Sequence, residues 1–225
     1  SIIAHDLRSP FQGLLGYAEL LNSSYDNFDE TEYRTIIKSV NNSLKSLYGL
    51  IENLLYWSRL QTEGFVFDPI DLNIYEIINS VIQQLKLNIE AKELTVINLV
   101  DEKLIVFADQ NMISTIFQNI ISNAIKFSFR DSKIEISSVV GEKYIELSVI
   151  DNGVGISAEN QKKLFFIGES LTSLGTENEK GTGLGLVISK EMIELHGGKI
   201  RIESEENKGS KFTIFIPKIF RGENR

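Results

Sequence analysis

The sequence predicts an α+β chain: a two-helix hairpin that dimerises into a four-helix bundle, followed by an α/β sandwich domain. Three observations predict it. Apolar residues recur every three and four positions through residues 1–61. Short alternating runs and longer periodic stretches interleave over 71–220. Between them, a stretch with Gly64 and Pro69 breaks both patterns. The expected organisation is therefore a helical hairpin at 1–61, a linker at 62–70 and a sandwich domain at 71–220.

In the first helix, Ile3, Leu7, Phe11, Leu14, Ala18 and Leu21 form one apolar stripe. In the second, Ile37, Val40, Leu44, Leu47, Ile51 and Leu54 trace the a/d seam of a bundle helix. Asp29 followed by Glu32 has the form of a capping box at its start, and the polar segment 22–28 is the turn. Two helices with one stripe each do not enclose a core, so a homodimer is the expected completion. Beyond the linker, Asp71 is expected to cap a helix running to about Leu94. Strands are expected at 95–100 and 104–108, a helix at 111–127, and strands at 133–140 and 144–150. Residues 151–183, rich in Gly, Ser and Asn, read as a long functional loop. A helix at 184–196 and strands at 199–204 and 211–216 complete the domain.

Composition narrows the function. The net charge of −8 and the absence of any long Lys/Arg tract disfavour a nucleic-acid partner or an anionic membrane surface. With no cysteine, disulfides and thiolate metal sites are excluded, which fits a cytoplasmic setting. A mean hydropathy of −0.04 goes with a globular, membrane-free segment. The chain starts already inside a helical pattern and reads as a fragment of something longer.

Chemistry is concentrated in four short motifs. The first is His5-Asp6-Leu7-Arg8-Ser9-Pro10. His5 lies two residues past Ile3, about 200° around the helix, and so is expected to point away from the apolar stripe. Pro10 is expected to bend the helix one turn later. A neutral imidazole can attack phosphorus, and an adjacent carboxylate can hold its other proton. In isolation, the ordinary reading is a surface histidine beside a proline.

The second motif is Asn119-Ile120-Ile121-Ser122-Asn123-Ala124-Ile125-Lys126-Phe127. Asn119, Asn123 and Lys126 recur at i, i+4 and i+7, placing two amides and an ammonium on one helix face. Amide oxygens can ligate Mg²⁺, and the lysine can neutralise phosphate. The third is Asp151-Asn152-Gly153-Val154-Gly155, directly after a strand. Its carboxylate can accept from an adenine amino group, and Gly153 and Gly155 permit close backbone approach. The fourth is Gly181-Thr182-Gly183-Leu184-Gly185 at a helix start, where backbone N–H groups can face phosphates. It is neither a dinucleotide fingerprint nor a Walker A loop, because the spacing differs and no Gly-Lys-Ser/Thr follows.

In this order the motifs resemble the H, N, G1 and G2 boxes of sensor histidine kinases, with a Bergerat-type ATP-binding domain. Asp6 and Ser9 stand where the usual H-box has Glu and Thr. The resemblance implies that His5 is the phosphoacceptor, with Asp6 as its acid/base partner and Ser9 orienting water for regulator dephosphorylation. It implies ATP and Mg²⁺ as cofactors, with Asn123 as the metal ligand, Asn119 and Lys126 facing the phosphates and Phe127 flanking the base. Asp151 would bind adenine beside Gly153 and Gly155, while Gly181, Gly183, Leu184 and Gly185 shape the phosphate loop. The implied activity is ATP-dependent autophosphorylation of His5, followed by transfer to an aspartate of a response regulator receiver domain. Phe165 matches part of the family's F-box, but Gly168 stands where a second aromatic is usual. His196 matches a family helix end and reads as structural, with Gly197 ending the helix.

Two rivals remain at this level. A chaperone- or repair-type ATPase needs a glutamate in the asparagine helix, and residues 116–127 contain no acid. A scaffold that has lost kinase activity is the other.

Overall fold

The computed structural model describes residues 2–23, 28–60, 67–166, 174–177, 179 and 183–218. At 2–10, 42, 45, 46, 50 and 52–60 it describes the backbone alone. The chain separates into two compact units, Ser1–Phe65 with Lys180–Leu184, and Val66–Glu179 with Gly185–Arg225.

The first unit is built on two helices, α1 (Ile2–Ser23) and α2 (Glu30–Leu60). The start of α2 is fixed twice. Asp29 Oδ1 accepts the Glu32 N–H at 2.8 Å, and Glu32 Oε2 accepts the Asp29 N–H at 2.9 Å, a reciprocal capping box. Phe28 then meets Tyr33 edge to face at 5.7 Å, the apolar staple just outside the cap. Helix α1 runs through Pro10 without ending there. Within the expected seam on α2, Leu47 is buried, whereas Ile37, Leu44 and Ile51 are 61%, 50% and 40% exposed; Ile36, outside that seam, is buried.

The second unit is a two-layer sandwich. Its five-stranded sheet has the order β2-β4-β5-β7-β6, from β2 (Thr95–Leu99), β4 (Lys133–Val140), β5 (Tyr144–Asp151), β6 (Lys199–Glu205) and β7 (Gly209–Pro217). Only the β2–β4 pairing is parallel. Alternation along β4, β5 and β7 buries Ile134, Ile136, Ile145, Leu147, Val149, Ile214 and Ile216. Helices α3 (Ile74–Gln84), α5 (Gln110–Phe127) and α7 (Gly185–Leu195) contribute the facing layer. Helix α5 is the centre of this core. Met112, Ile113, Ile116, Phe117, Ile120, Ile121, Ala124 and Ile125 are all buried, and a fully buried side chain of the size of Phe117 is worth about 1.5–3 kcal/mol.

One expected helix is corrected. Asp71 does not cap a helix; it lies in β1 (Pro69–Asn73), opposite Phe107 of β3 (Ile105–Asp109). The cap is Asn73, whose side chain accepts the Glu76 N–H at 3.2 Å. The helix then breaks at Leu85, with α4 (Lys86–Ala91) following, so no single helix reaches Leu94. Strand β1 also begins inside the stretch expected to be linker. Its hydrogen-bonding partner lies far along the chain, and no local pattern announces it. Among its described residues, the expected loop carries one short helix, α6 (Ala158–Gln161), capped by Ser157.

Candidate nucleotide site

The eight buried residues of α5 leave one polar edge, and Asn119, Asn123 and Lys126 all lie half-buried on it. The 3.6-residue period produces this placement: three residues separated by four and three cannot leave the edge without removing the core side chains beside them. The Lys126 ammonium stands 4.5 Å from the centre of the Phe127 ring. Burial lowers the pKa of Lys126, while the nearby Glu179 carboxylate raises it and Lys92 lowers it further. Asn119 is already engaged, for its Nδ2 donates to the Gly185 carbonyl and to Ser189 Oγ, both at 3.1 Å. These bonds tie α5 to the first turn of α7. Among the described residues, no hydrogen bond is made by the Asn123 amide.

At the end of β5, Asp151 is 4% exposed. Its Oδ1 accepts the Gly153 N–H at 2.9 Å. Burial raises its pKa to about 6, against lowering by the backbone N–H groups of Gly153 and Ser210. The backbone of Gly153 crosses the end of α5: Ser128 bridges to Gly153, and the Val154 N–H reaches the Phe127 carbonyl at 3.1 Å. A Cβ at Gly153 would collide with that carbonyl oxygen and approach Asp151 Oδ1 to 2.9 Å. Gly155 has φ +66° and presses on the Glu205 carbonyl, so the glycine is required there twice over. The loop bearing the carboxylate is thus held between α5 and the β6–β7 hairpin.

Of the remaining expected site residues, Gly183 adopts φ +69° just before α7. Gly185 opens that helix, where a Cβ would come within 3.2 Å of the Asn119 amide. Leu184 is buried. Gly181 and Gly168 lie outside the described residues. The backbone at His5, Asp6 and Ser9 is helical in α1, and their side chains lie outside the description. His196 is buried and structural: Nε2 accepts the Asp109 N–H at 3.0 Å, and Nδ1 faces the Met192 carbonyl at 2.7 Å. Those partners require the neutral ring with its proton on Nδ1, and burial lowers its pKa accordingly. Asp109 in turn caps α5 through the N–H groups of Asn111 and Met112.

Sequence reasoning did not single out Gly209, Ser189 or Lys92. Gly209 has φ +91° and crowds the Asp151 carbonyl. Lys92 is 3% exposed, with its Nζ against the last carbonyls of α5. A lysine in a turn after a short helix carries no local signal of such a role.

The two units correspond to two known families. Residues 1–63 match the His Kinase A (phospho-acceptor) domain, and residues 108–219 match the histidine kinase-, DNA gyrase B- and HSP90-like ATPase. The solved catalytic domain of histidine kinase ThkA is 32% identical with TM-score 0.59, over 67% of this chain and 98% of that one. The chain belongs to the sensor histidine kinases. The sensor histidine kinase GacS of Pseudomonas protegens is 31% identical over 95% of the chain. This histidine kinase segment spans only 24% of GacS, about a quarter of its length. The fold of histidine kinase AdeS of Acinetobacter baumannii is also shared, with TM-score 0.76 at 24% identity over 95% of this chain and 98% of that one.

Proposed function

We propose that this chain binds Mg²⁺-ATP along the polar edge of α5 and transfers the γ-phosphoryl group to His5. One observation carries the reading: the buried Asp151 carboxylate and the Asn123 and Lys126 side chains belong to two elements that Gly153 joins by backbone bonds. An acceptor for an adenine amino group and groups suited to phosphate and metal therefore stand on two elements joined at the C-terminal end of α5. The donor set fits the ligand. Asn123 offers an amide oxygen of the hard type Mg²⁺ prefers, and Lys126 offers a positive charge. A bound Mg²⁺ would neutralise the phosphates there. Asn119 acts in this reading through its bonds to Gly185 and Ser189, which set the α7 start against the nucleotide helix.

At His5, the neutral imidazole nitrogen forms the N–P bond as the β–γ bridging P–O bond breaks and ADP leaves. Asp6 takes or holds the proton on the other ring nitrogen. Positioning and charge neutralisation supply the rate, as in other phosphoryl transfers. The phosphohistidine then donates to an aspartate on a response regulator, and Ser9 supports the reverse hydrolysis. ThkA has been solved in complex with a response regulator protein, TrrA. Exposure of Ile37, Leu44 and Ile51 supports a homodimer closed along that seam.

The test is incubation with γ-labelled ATP. The wild-type chain is expected to gain acid-labile label, His5→Gln none, and Asn123→Ala almost none. Acid-labile label in His5→Gln at the wild-type level overturns the assignment.

A further inference from the structure

The least expected group in the second unit is a buried ammonium. Lys92 follows α4 and is 3% exposed. A buried charge is costly unless it is paired and hydrogen-bonded. Here the partners are complete. Nζ donates to the Ile125 carbonyl at 3.0 Å, the Lys126 carbonyl at 2.8 Å and Thr176 Oγ1 at 2.7 Å, and it pairs with Glu179 Oε1 at 2.6 Å. Two of these oxygens are orphan carbonyls at the negative end of α5, where a cation is favoured. The other two belong to the loop that leads into the glycine-rich motif.

That loop is bound to the helix at several points. Thr176 N–H donates to the Lys126 carbonyl at 3.1 Å, and its hydroxyl donates to the Ser128 carbonyl at 2.7 Å. Glu179 closes the turn on itself, accepting the Glu177 N–H at 2.7 Å, while its carbonyl accepts the Gly175 N–H at 2.9 Å. A Cβ at Gly175 would collide with the Glu179 carboxylate and approach the Lys126 carbonyl to 2.7 Å. The salt bridges Arg130–Glu177 and Arg130–Glu93 lie outside, half-exposed, and contribute little. Burial raises the pKa of Glu179, but the Lys92 hydrogen bond, the backbone N–H groups of Glu179 and Glu177 and the Lys92 charge together bring it below its ordinary value.

We propose that Lys92 is a positioning residue for nucleotide binding: its ammonium fastens Thr176 and Glu179 to the carbonyls of Ile125 and Lys126. One cation thereby sets both the backbone that carries Lys126 and Phe127 and the base of the glycine-rich loop. It never touches the nucleotide itself. The inference rests on the nucleotide site proposed above and adds the element that holds its two sides together.

The experiment uses the whole 225-residue chain with Mg²⁺ and AMP-PNP as the binding probe. Lys92→Met can compromise folding, so the decisive variants lie on the loop side, Thr176→Val and Glu179→Gln. Thr176→Val removes the hydroxyl that accepts from Lys92 and donates to the Ser128 carbonyl, and Glu179→Gln removes the charge paired with Lys92. Each is therefore expected to raise the AMP-PNP Kd and the ATP KM about tenfold. In both variants kcat should change less than about twofold, since the lost contact orders the ground state and transition state alike. Thr176→Ser, which keeps the hydroxyl, should restore both constants. A lower Tm with wild-type Kd and KM would reduce the cluster to a structural staple and overturn the proposal. So would equal impairment of Thr176→Ser and Thr176→Val. If the unaltered chain fails to bind AMP-PNP, the nucleotide reading falls first and this one with it.

Discussion

The core helix of one unit and the helix pair of the other differ in how far they enclose their apolar residues. In the α/β unit the eight core side chains of α5 are enclosed, Phe117 fully, while Phe127 at the helix end is half-buried. In the helical unit Ile37, Leu44, Tyr48 and Ile51 remain exposed along α2, and Phe11 and Leu15 along α1. A sheet covered by helices completes its core within one chain, whereas a helix pair has a second face for which it offers no cover. The proposed homodimer supplies that cover for the first unit. The proposed catalytic assignments divide as well, with the nucleophile on the helical unit and Asn123, Lys126 and Asp151 on the α/β unit.

The comparison can be broken most sharply in the core. Phe117→Ala is expected to destabilise the α/β unit by about 3–5 kcal/mol, measured by denaturant unfolding, and to leave self-association unchanged. Loss of the dimer in this variant would mean that the units are not independent. The complementary change is Ile37→Asp with Leu44→Asp. Sedimentation should then show a monomer at concentrations where the parent chain is dimeric, with AMP-PNP affinity within about twofold of it, because sites with no shared partners add independently. A dimer that survives both aspartates refutes the seam.

The smallest effect is one of pH. Asp151, raised to about 6 by burial, accepts most strongly from adenine when ionised. AMP-PNP affinity should therefore fall on acidification through pH 6, by about tenfold between pH 7 and pH 5. The stability term has the opposite sign. Between the ordinary carboxylate range near 3.8 and about 6, the folded state keeps a proton that the unfolded chain has lost. Asp151 thus costs stability as pH rises through that window, with the cost complete above it. An Asp151→Asn chain should show neither trend from this residue, and a pH-independent Kd in the parent chain would remove Asp151 from the base site.

Much of this was legible before any coordinates. Six strands followed from alternation, and the α5 edge followed from the spacing of Asn119, Asn123 and Lys126. Asp29 and Glu32 announced their capping box because both partners lie within one turn. His196 was readable as a helix-end residue, although its partner Asp109, 87 positions away, was not. Strand β1 escaped because an edge strand containing Pro69 and Asp71 has no strong alternation and is stabilised by β3. Asn119 was read as facing phosphate, and its amide is engaged by Gly185 and Ser189, 66 and 70 positions on.

By itself the sequence determined what depends on neighbours along the chain: helix faces, caps, strand alternation and the order of four motifs. Those patterns are set by periods of two to four residues, which a sequence displays directly. The tertiary structure decided which polar groups would meet, placing Lys92 against carbonyls 33 and 34 positions away and a hydroxyl 84 positions away. Burial is the physical reason. A buried charge or amide must find partners wherever the folded chain brings them, and that geometry exists only once the core has closed.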